Sequence, residues 1–175
     1  MKYIFLSFFF LICVITTQGQ TKDPLENVLI TSNEKKTQVS TNEKGALLVN
    51  VSPKDVRKFK SRGWINYSDF GAKGDGKTDD IDAITATHAF ANQQGIQVKA
   101  NDRATYYIGG KERTAVIRTD TDFGTAAFII DDTEVQNRNA SVFMVSSTLQ
   151  SFKLESISSL KKDQEKIRKF IEAAS

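Results

Sequence analysis

The stretch DFGAKGDGKTDD, residues 69–80, holds three of the ten glycines of this 175-residue chain and four of its carboxylates. Three structures can be built from such a run: a phosphate cradle, a cation loop, or a tight turn that starts a helix. The literal P-loop spacing is present, since Gly71 and Gly76 are followed by Lys77 and Thr78. A P-loop must also follow a buried apolar strand, so that its backbone N–H groups face phosphate. Here the preceding residues WINYSDF are interrupted by Asn66, Ser68 and Asp69, and Asp75, Asp79 and Asp80 would crowd an anion. The EF-hand pattern of alternating acids before a glycine is absent, and the acids at 79, 80 and 82 favour the positive end of a helix. The remaining reading is strand, glycine turn, capped helix. Gly74 and Gly76 permit positive φ, Asp75 suits the turn, and Thr78 or Asp79 caps the helix.

Outward from this stretch the pattern is regular. TDDIDAITATHAFANQQG (78–95) carries Ile81, Ile84, the Thr87–His88 pair and Ala91 at the helical period, and Gly95 can end it. Upstream, SPKDVRKFKSRG (52–63) predicts a short helix: Ser52 as N-cap, Pro53 in the first turn, Asp55 in a capping-box position and Gly63 as terminator. Lys54, Arg57, Lys58, Lys60 and Arg62 make it basic, which reads first as a solvated face. NVLI, ALLVNV and WINYSDFG predict strands. After Gly95 come IQVKA, TYYIGG, TAVIRT, TAAFII, SVFMVSS and SFKLES, short β-prone runs separated by turn-rich segments at roughly ten-residue spacing. LKKDQEKIRKFIEAAS (160–175) predicts a helix with Leu160, Ile167, Phe170, Ile171 and Ala174 as a partial apolar stripe.

Composition excludes several classes. The formal charge of +3 is too small to indicate a nucleic-acid binder. Lys2, the apolar run of 13 at residues 3–15 and the small residues Thr17 and Gly19 predict a secretory signal cut near Gly19–Gln20. The run is shorter than the ~20 residues of a membrane span, so no stable membrane insertion is expected after cleavage. The only cysteine, Cys13, follows Ile12 inside that run, which does not suit lipidation. The expected mature chain therefore has no disulfide and no thiol nucleophile. The organisation expected is a signal at 1–19, a polar leader with a short helix at 20–62, a β-rich body at 63–151 and a helical tail at 152–175.

The run INYSDFGAKGDGKTDDIDAI (65–84) resembles the entry signature of the pectate lyase superfamily, which includes polygalacturonases. The shared parts are Asp69–Ala72, Gly74–Gly76, Thr78–Asp80 and the Ala83–Ile84 pair; further on, Thr105 and Tyr106 match a turn whose usual proline and glycine are missing here. The resemblance implies an all-β fold, the start of a right-handed parallel β-helix, with the motif leading into a helix that caps its N-terminal end. On that view Asp69, Phe70, Gly71, Gly74, Asp75, Gly76, Thr78, Asp79 and Asp80 are structural. The implied function is an exported, secreted or periplasmic protein associated with a polysaccharide, acidic ones included. It resembles the first part of an enzyme that breaks glycosidic bonds by hydrolysis or elimination. Calcium is implied only for lyase-type relatives of full length.

No residue receives a catalytic, cofactor or metal role. Asp131–Asp132 superficially resembles the paired aspartates of the hydrolases but lacks the preceding glycine and a following histidine, and it reads as a turn. TDTD (119–122) reads as a turn as well. His88, the single histidine, sits mid-helix and reads as a core residue. Trp64, Tyr67, Tyr106 and Tyr107 read as packing, with sugar stacking as the other option. A non-catalytic carbohydrate-binding or adhesion module, or an inactive fragment, stands beside the enzyme reading.

Overall fold

The computed structural model of the protein describes residues 27–147 and Glu172. The expected signal segment, and the tail apart from Glu172, lie outside the described residues. Within residues 27–147, eleven short strands and two helices run in the order β1 (Val28–Thr31), β2 (Gln38–Thr41), β3 (Leu47–Asn50), α1 (Pro53–Arg62), β4 (Trp64–Asn66), β5 (Asp75–Asp79), α2 (Ile81–Gln94), β6 (Gln97–Lys99), β7 (Thr105–Gly109), β8 (Ala115–Ile117), β9 (Thr121–Asp122), β10 (Ala127–Asp131) and β11 (Phe143–Val145).

The helix at 53–62 forms for the reasons legible in its sequence. Ser52 Oγ accepts the Asp55 N–H at 3.1 Å, and Gly63 closes the last turn at φ 78°. β4 is shorter than its aromatic run suggests. The Asp69 carboxylate accepts the Asn66 N–H at 2.8 Å and folds residues 67–70 into a single 3-10 turn, so the chain leaves the extended conformation after Asn66. The leader differs too: β2, in a polar run with no strand signal, pairs antiparallel with β3, while β1 pairs parallel with β3's other edge. Leu47, Val49 and Val51 are fully buried beneath this small sheet.

α2 decides the architecture. Every residue from Ile81 to Ala91 except Asp82 is buried. A helix buried all round belongs to a core and does not serve as a lid. The sheet of β1, β2 and β3 lies against it, as do β4, β6, β7 and β8. Phe59 of α1, Phe70 and Phe90 of α2 form an aromatic cluster with centroids 5.6–6.0 Å apart.

The all-β expectation is therefore corrected to a mixed α/β fold. The described strands fall into four separate sheets of two or three strands: β1-β3-β2, β4-β6-β9, β5-β7-β10 and β8-β11. The last three are parallel. No closed or solenoid sheet is found among the described residues, one sheet contains an antiparallel pair, and the helix expected to cap the end of a solenoid is buried against both the leader sheet and strands β4, β6, β7 and β8. The TDTD segment, read as a turn, supplies β9, because Val98 and Ala100 donate their N–H groups to the Asp120 and Asp122 carbonyls.

The glycine turn positions β5 against β7. Gly74 has φ +61°, and its carbonyl accepts the Thr105 N–H at 2.9 Å. A Cβ at Gly74 would stand 2.7 Å from the Ala104 Cβ. Gly74→Ala should destabilise the fold by about 2–4 kcal/mol, from the left-handed backbone and the overpacked contact together. Urea unfolding measures it; an unchanged midpoint would mean that β5 and β7 do not approach in this way.

Candidate functional site

The carboxylates of the opening stretch are spent on the fold. Asp75 Oδ1 accepts the N–H groups of Thr78 and Lys77 at 2.8 and 2.9 Å, and its Oδ2 accepts the Thr78 hydroxyl. Those bonds, the Thr78 N–H foremost, hold its pKa down to about 2. Asp80 is buried at the start of α2, but its side chain does not cap that helix. It reaches back to the N–H groups of Lys73 and Gly74, at 2.6 and 2.9 Å. Burial raises its pKa despite these bonds. The N-cap position falls to Asp80 and not to Thr78 or Asp79 as expected; Asp79, at the end of β5, contributes an Oδ1 that accepts the Ile81 N–H at 3.2 Å. Asp69 binds the Asn66 N–H and the Arg62 guanidinium. Gly71 ends the 3-10 turn at φ 98°, and Gly76 crosses β7 with φ +72°. Phe70 is buried.

The buried aromatic hub is likewise committed. His88 Nε2 lies 2.9 Å from the Tyr67 hydroxyl, and both residues are inaccessible to solvent. Burial pushes His88 down to about 4 and Tyr67 well above its ordinary value. Tyr106 stands edge-on to Tyr67 at 5.1 Å and donates its hydroxyl proton to Asn101 Oδ1. Trp64 is half-buried with the Arg62 guanidinium 3.6 Å from its ring centre, which occupies a face that a sugar would need. Among the described residues no three His, Cys, Asp or Glu side chains come together to hold a metal ion.

The site with room for a ligand lies elsewhere, between two loops that follow neighbouring parallel strands. The turn after β7 (110–114) and the long turn after β10 (132–142) enclose a cleft of about 350 Å³. Ile108, Ile130, Val135 and Val142 give it apolar walls, and Lys111, Glu112, Asp131, Asp132, Asn137 and Arg138 bring polar groups to it. The loops are tied together by the Asn137 N–H, which donates to Glu112 Oε1 at 2.8 Å, and by Thr114, which donates to the Ser141 carbonyl at 2.7 Å. Lys111 reaches Asp82 at 2.6 Å and Arg113 pairs with the same carboxylate, which anchors the first loop to α2.

Within the cleft Asp131 accepts three bonds, from the Thr133 hydroxyl at 2.6 Å, the Thr133 N–H at 3.0 Å and the Tyr107 hydroxyl at 2.8 Å. The Thr133 hydroxyl above all keeps Asp131 below its ordinary range, while its carboxylate raises Tyr107. Asp131 is thus an ionised acceptor and not a proton donor. Asp132, an exposed neighbour, stands 3.8 Å from Arg138. The sequence singled out Asp131–Asp132 as a turn, and Thr133 N–H to Asp131 Oδ1 is that turn's bond. Two consecutive acids gave no signal that the loop beyond them would close over them.

No protein-family model, no curated protein and no solved structure matches the chain.

His88 makes stability depend on pH. It titrates near 6.5 when unfolded and at about 4 when folded. Between these values the unfolded chain binds one proton more. The His88 contribution is complete above pH ~6.5 and is lost as the pH falls towards 4, by on the order of 3 kcal/mol. Urea midpoints across this window should fall for the native chain, and the His88→Gln variant should show a slope shallower by that one proton. Equal slopes would show that His88 is not buried neutral.

Proposed function

We propose that this chain is an exported, polysaccharide-associated protein that binds a short oligosaccharide segment in the cleft between residues 110–114 and 132–142. One observation carries this reading: the cleft combines apolar walls with convergent charged and amide groups in a volume of about 350 Å³, within the ordinary range for small-ligand sites. A pyranose ring has the same division, with C–H faces that suit Ile108, Ile130 and Val142 and hydroxyls that suit Asp132, Asn137 and Arg138. The resemblance of residues 65–84 to the pectate lyase superfamily supports the polysaccharide class. The apolar run at residues 3–15 supports export.

The reading is of binding and not of bond cleavage. Glycoside hydrolysis needs a carboxylic acid that keeps its proton beside a second, ionised carboxylate. The hydrogen bonds on Asp131 favour its charged form, and the carboxyl whose acid form is favoured by burial, Asp80, is held by the Lys73 and Gly74 amides outside the cleft. Elimination needs a base poised over a uronate, and the Lys111 ammonium is paired with Asp82.

Titration calorimetry with short oligosaccharides, neutral and uronate, tests the proposal. Binding by one series is expected, and Asn137→Ala and Arg138→Ala should each weaken it about tenfold, the loss of one hydrogen bond to a charged or amide group. Failure of both series to bind would overturn the reading. Binding that neither substitution affects would overturn the assignment to this cleft.

A further inference from the structure

Resting on the reading of the cleft as an oligosaccharide site, we infer that its ligand is positively charged: a short amino-sugar oligomer whose protonated amine pairs with the cleft's carboxylates, Glu112 foremost. The cleft is bordered by three cations and three acids, so the selection depends on which of them are already engaged.

The cations are engaged by other charges. The Lys111 ammonium lies 2.6 Å from Asp82, and the Arg113 guanidinium pairs with the same carboxylate and donates to the Thr41 hydroxyl at 3.0 Å. Asp82 belongs to α2 and does not line the cleft, so both positive groups are drawn away from a ligand. Arg138 remains, and it stands 3.8 Å from Asp132.

The acids are engaged by neutral groups. Glu112 Oε1 accepts the Asn137 N–H, and Asp131 accepts the Thr133 N–H and the Thr133 and Tyr107 hydroxyls. Among the described residues neither carboxylate has a Lys or Arg within ion-pair distance. Neutral donors orient a carboxylate and favour its ionised form, but they leave its charge in place. The Tyr107 phenol registers that charge: it is raised first by its bond to Asp131 and lastly by the charges of Asp79 and Glu134.

Charge beside apolar walls is screened less than charge in open water. A uronate would bring a third carboxylate against Glu112 and Asp131, with Lys111 and Arg113 turned to Asp82. An amine on a pyranose ring fits both halves of the cleft. The C–H face of the ring meets Ile108, Ile130 and Val142, and the ammonium offers three donors to acceptors with lone pairs to spare. Glu112 Oε2 accepts no hydrogen bond among the described residues, which puts it first among those acceptors.

Calorimetry with three trisaccharides of one backbone and linkage tests the inference: glucosamine with its amines protonated, glucose and glucuronate. The glucosamine trimer should bind at least about tenfold tighter than the glucose trimer, the worth of one hydrogen bond to a charged group. The glucuronate trimer should bind most weakly, and added salt should narrow both gaps. Glu112→Gln keeps an oxygen for the Asn137 N–H and removes the charge. It should erase most of the glucosamine margin and leave glucose binding unchanged, which also reports that the loops remain tied. Glucose or glucuronate binding as tightly as glucosamine overturns the inference and leaves the oligosaccharide reading standing. A margin that survives Glu112→Gln overturns the role of that carboxylate. Failure of all three trimers to bind overturns the inference and the reading together.

Discussion

The enclosure of α2 is the constraint on which the rest of the structure depends. A helix with buried residues on every side has no solvent face to orient it, so its surroundings must be supplied in all directions. The leader sheet lies on it through β1, β2 and β3, and the parallel strands β4, β6, β7 and β8 are packed against it as well. The small residues Ala83, Ala86, Ala89 and Ala91 let these neighbours approach closely. The polar Thr87 tolerates burial because its hydroxyl donates to the Ala83 carbonyl at 2.7 Å. Asp82, the one position from Ile81 to Ala91 that is not buried, is used as well: it receives Lys111 and Arg113 and so ties the rim of the cleft to the core.

Hydrogen-bond geometry separates the most conspicuous acidic motif from a plainer one. Asp69, Asp75, Asp79 and Asp80 each accept backbone N–H groups, a role that requires the carboxylates to stay where the turn places them. Charge used to order a turn is not free for a substrate. Asp131 is also held, by the Thr133 N–H and by the Thr133 and Tyr107 hydroxyls, but it stands at the cleft edge and its neighbour Asp132 is exposed. The difference between the two acidic clusters lies in what surrounds them, and composition carries no trace of it.

The legible parts of the fold were those with local causes. Ser52, Pro53 and Gly63 bound α1 by themselves, and the length of α2 is written in its apolar period and Gly95. The parts that were not legible depend on distant partners. The Asp80 side chain, expected to serve the helix, serves a turn seven residues earlier because Lys73 and Gly74 come within its reach. β2 and β9 carry polar sequences and become strands only because β3 and β6 offer edges to them. The all-β expectation failed for a related reason: period and propensity describe α2 as a helix but do not say whether it lies outside the sheets or among them. The cleft was invisible for the same cause, since it needs the loops after β7 and β10 to meet.

The parallel ladders also give the molecule a direction. β5 and β7 pair through the glycine turn with a register irregularity between Asp75 and Asp79, while β7 and β10 pair without a break over five residues. Irregular pairing at the first edge lets Gly74 and Gly76 pass close to Ala104 and Thr105 and ends the sheet there. Regular pairing at the second leaves β10 as the edge strand of its sheet among the described residues. Bulges and close glycine contacts protect an edge; a regular strand with exposed Ile129 and Ile130 does not. The two ends of the same sheet therefore differ in chemistry: the first carries the irregular register and close glycine contacts, and the second leaves Ile129 and Ile130 exposed.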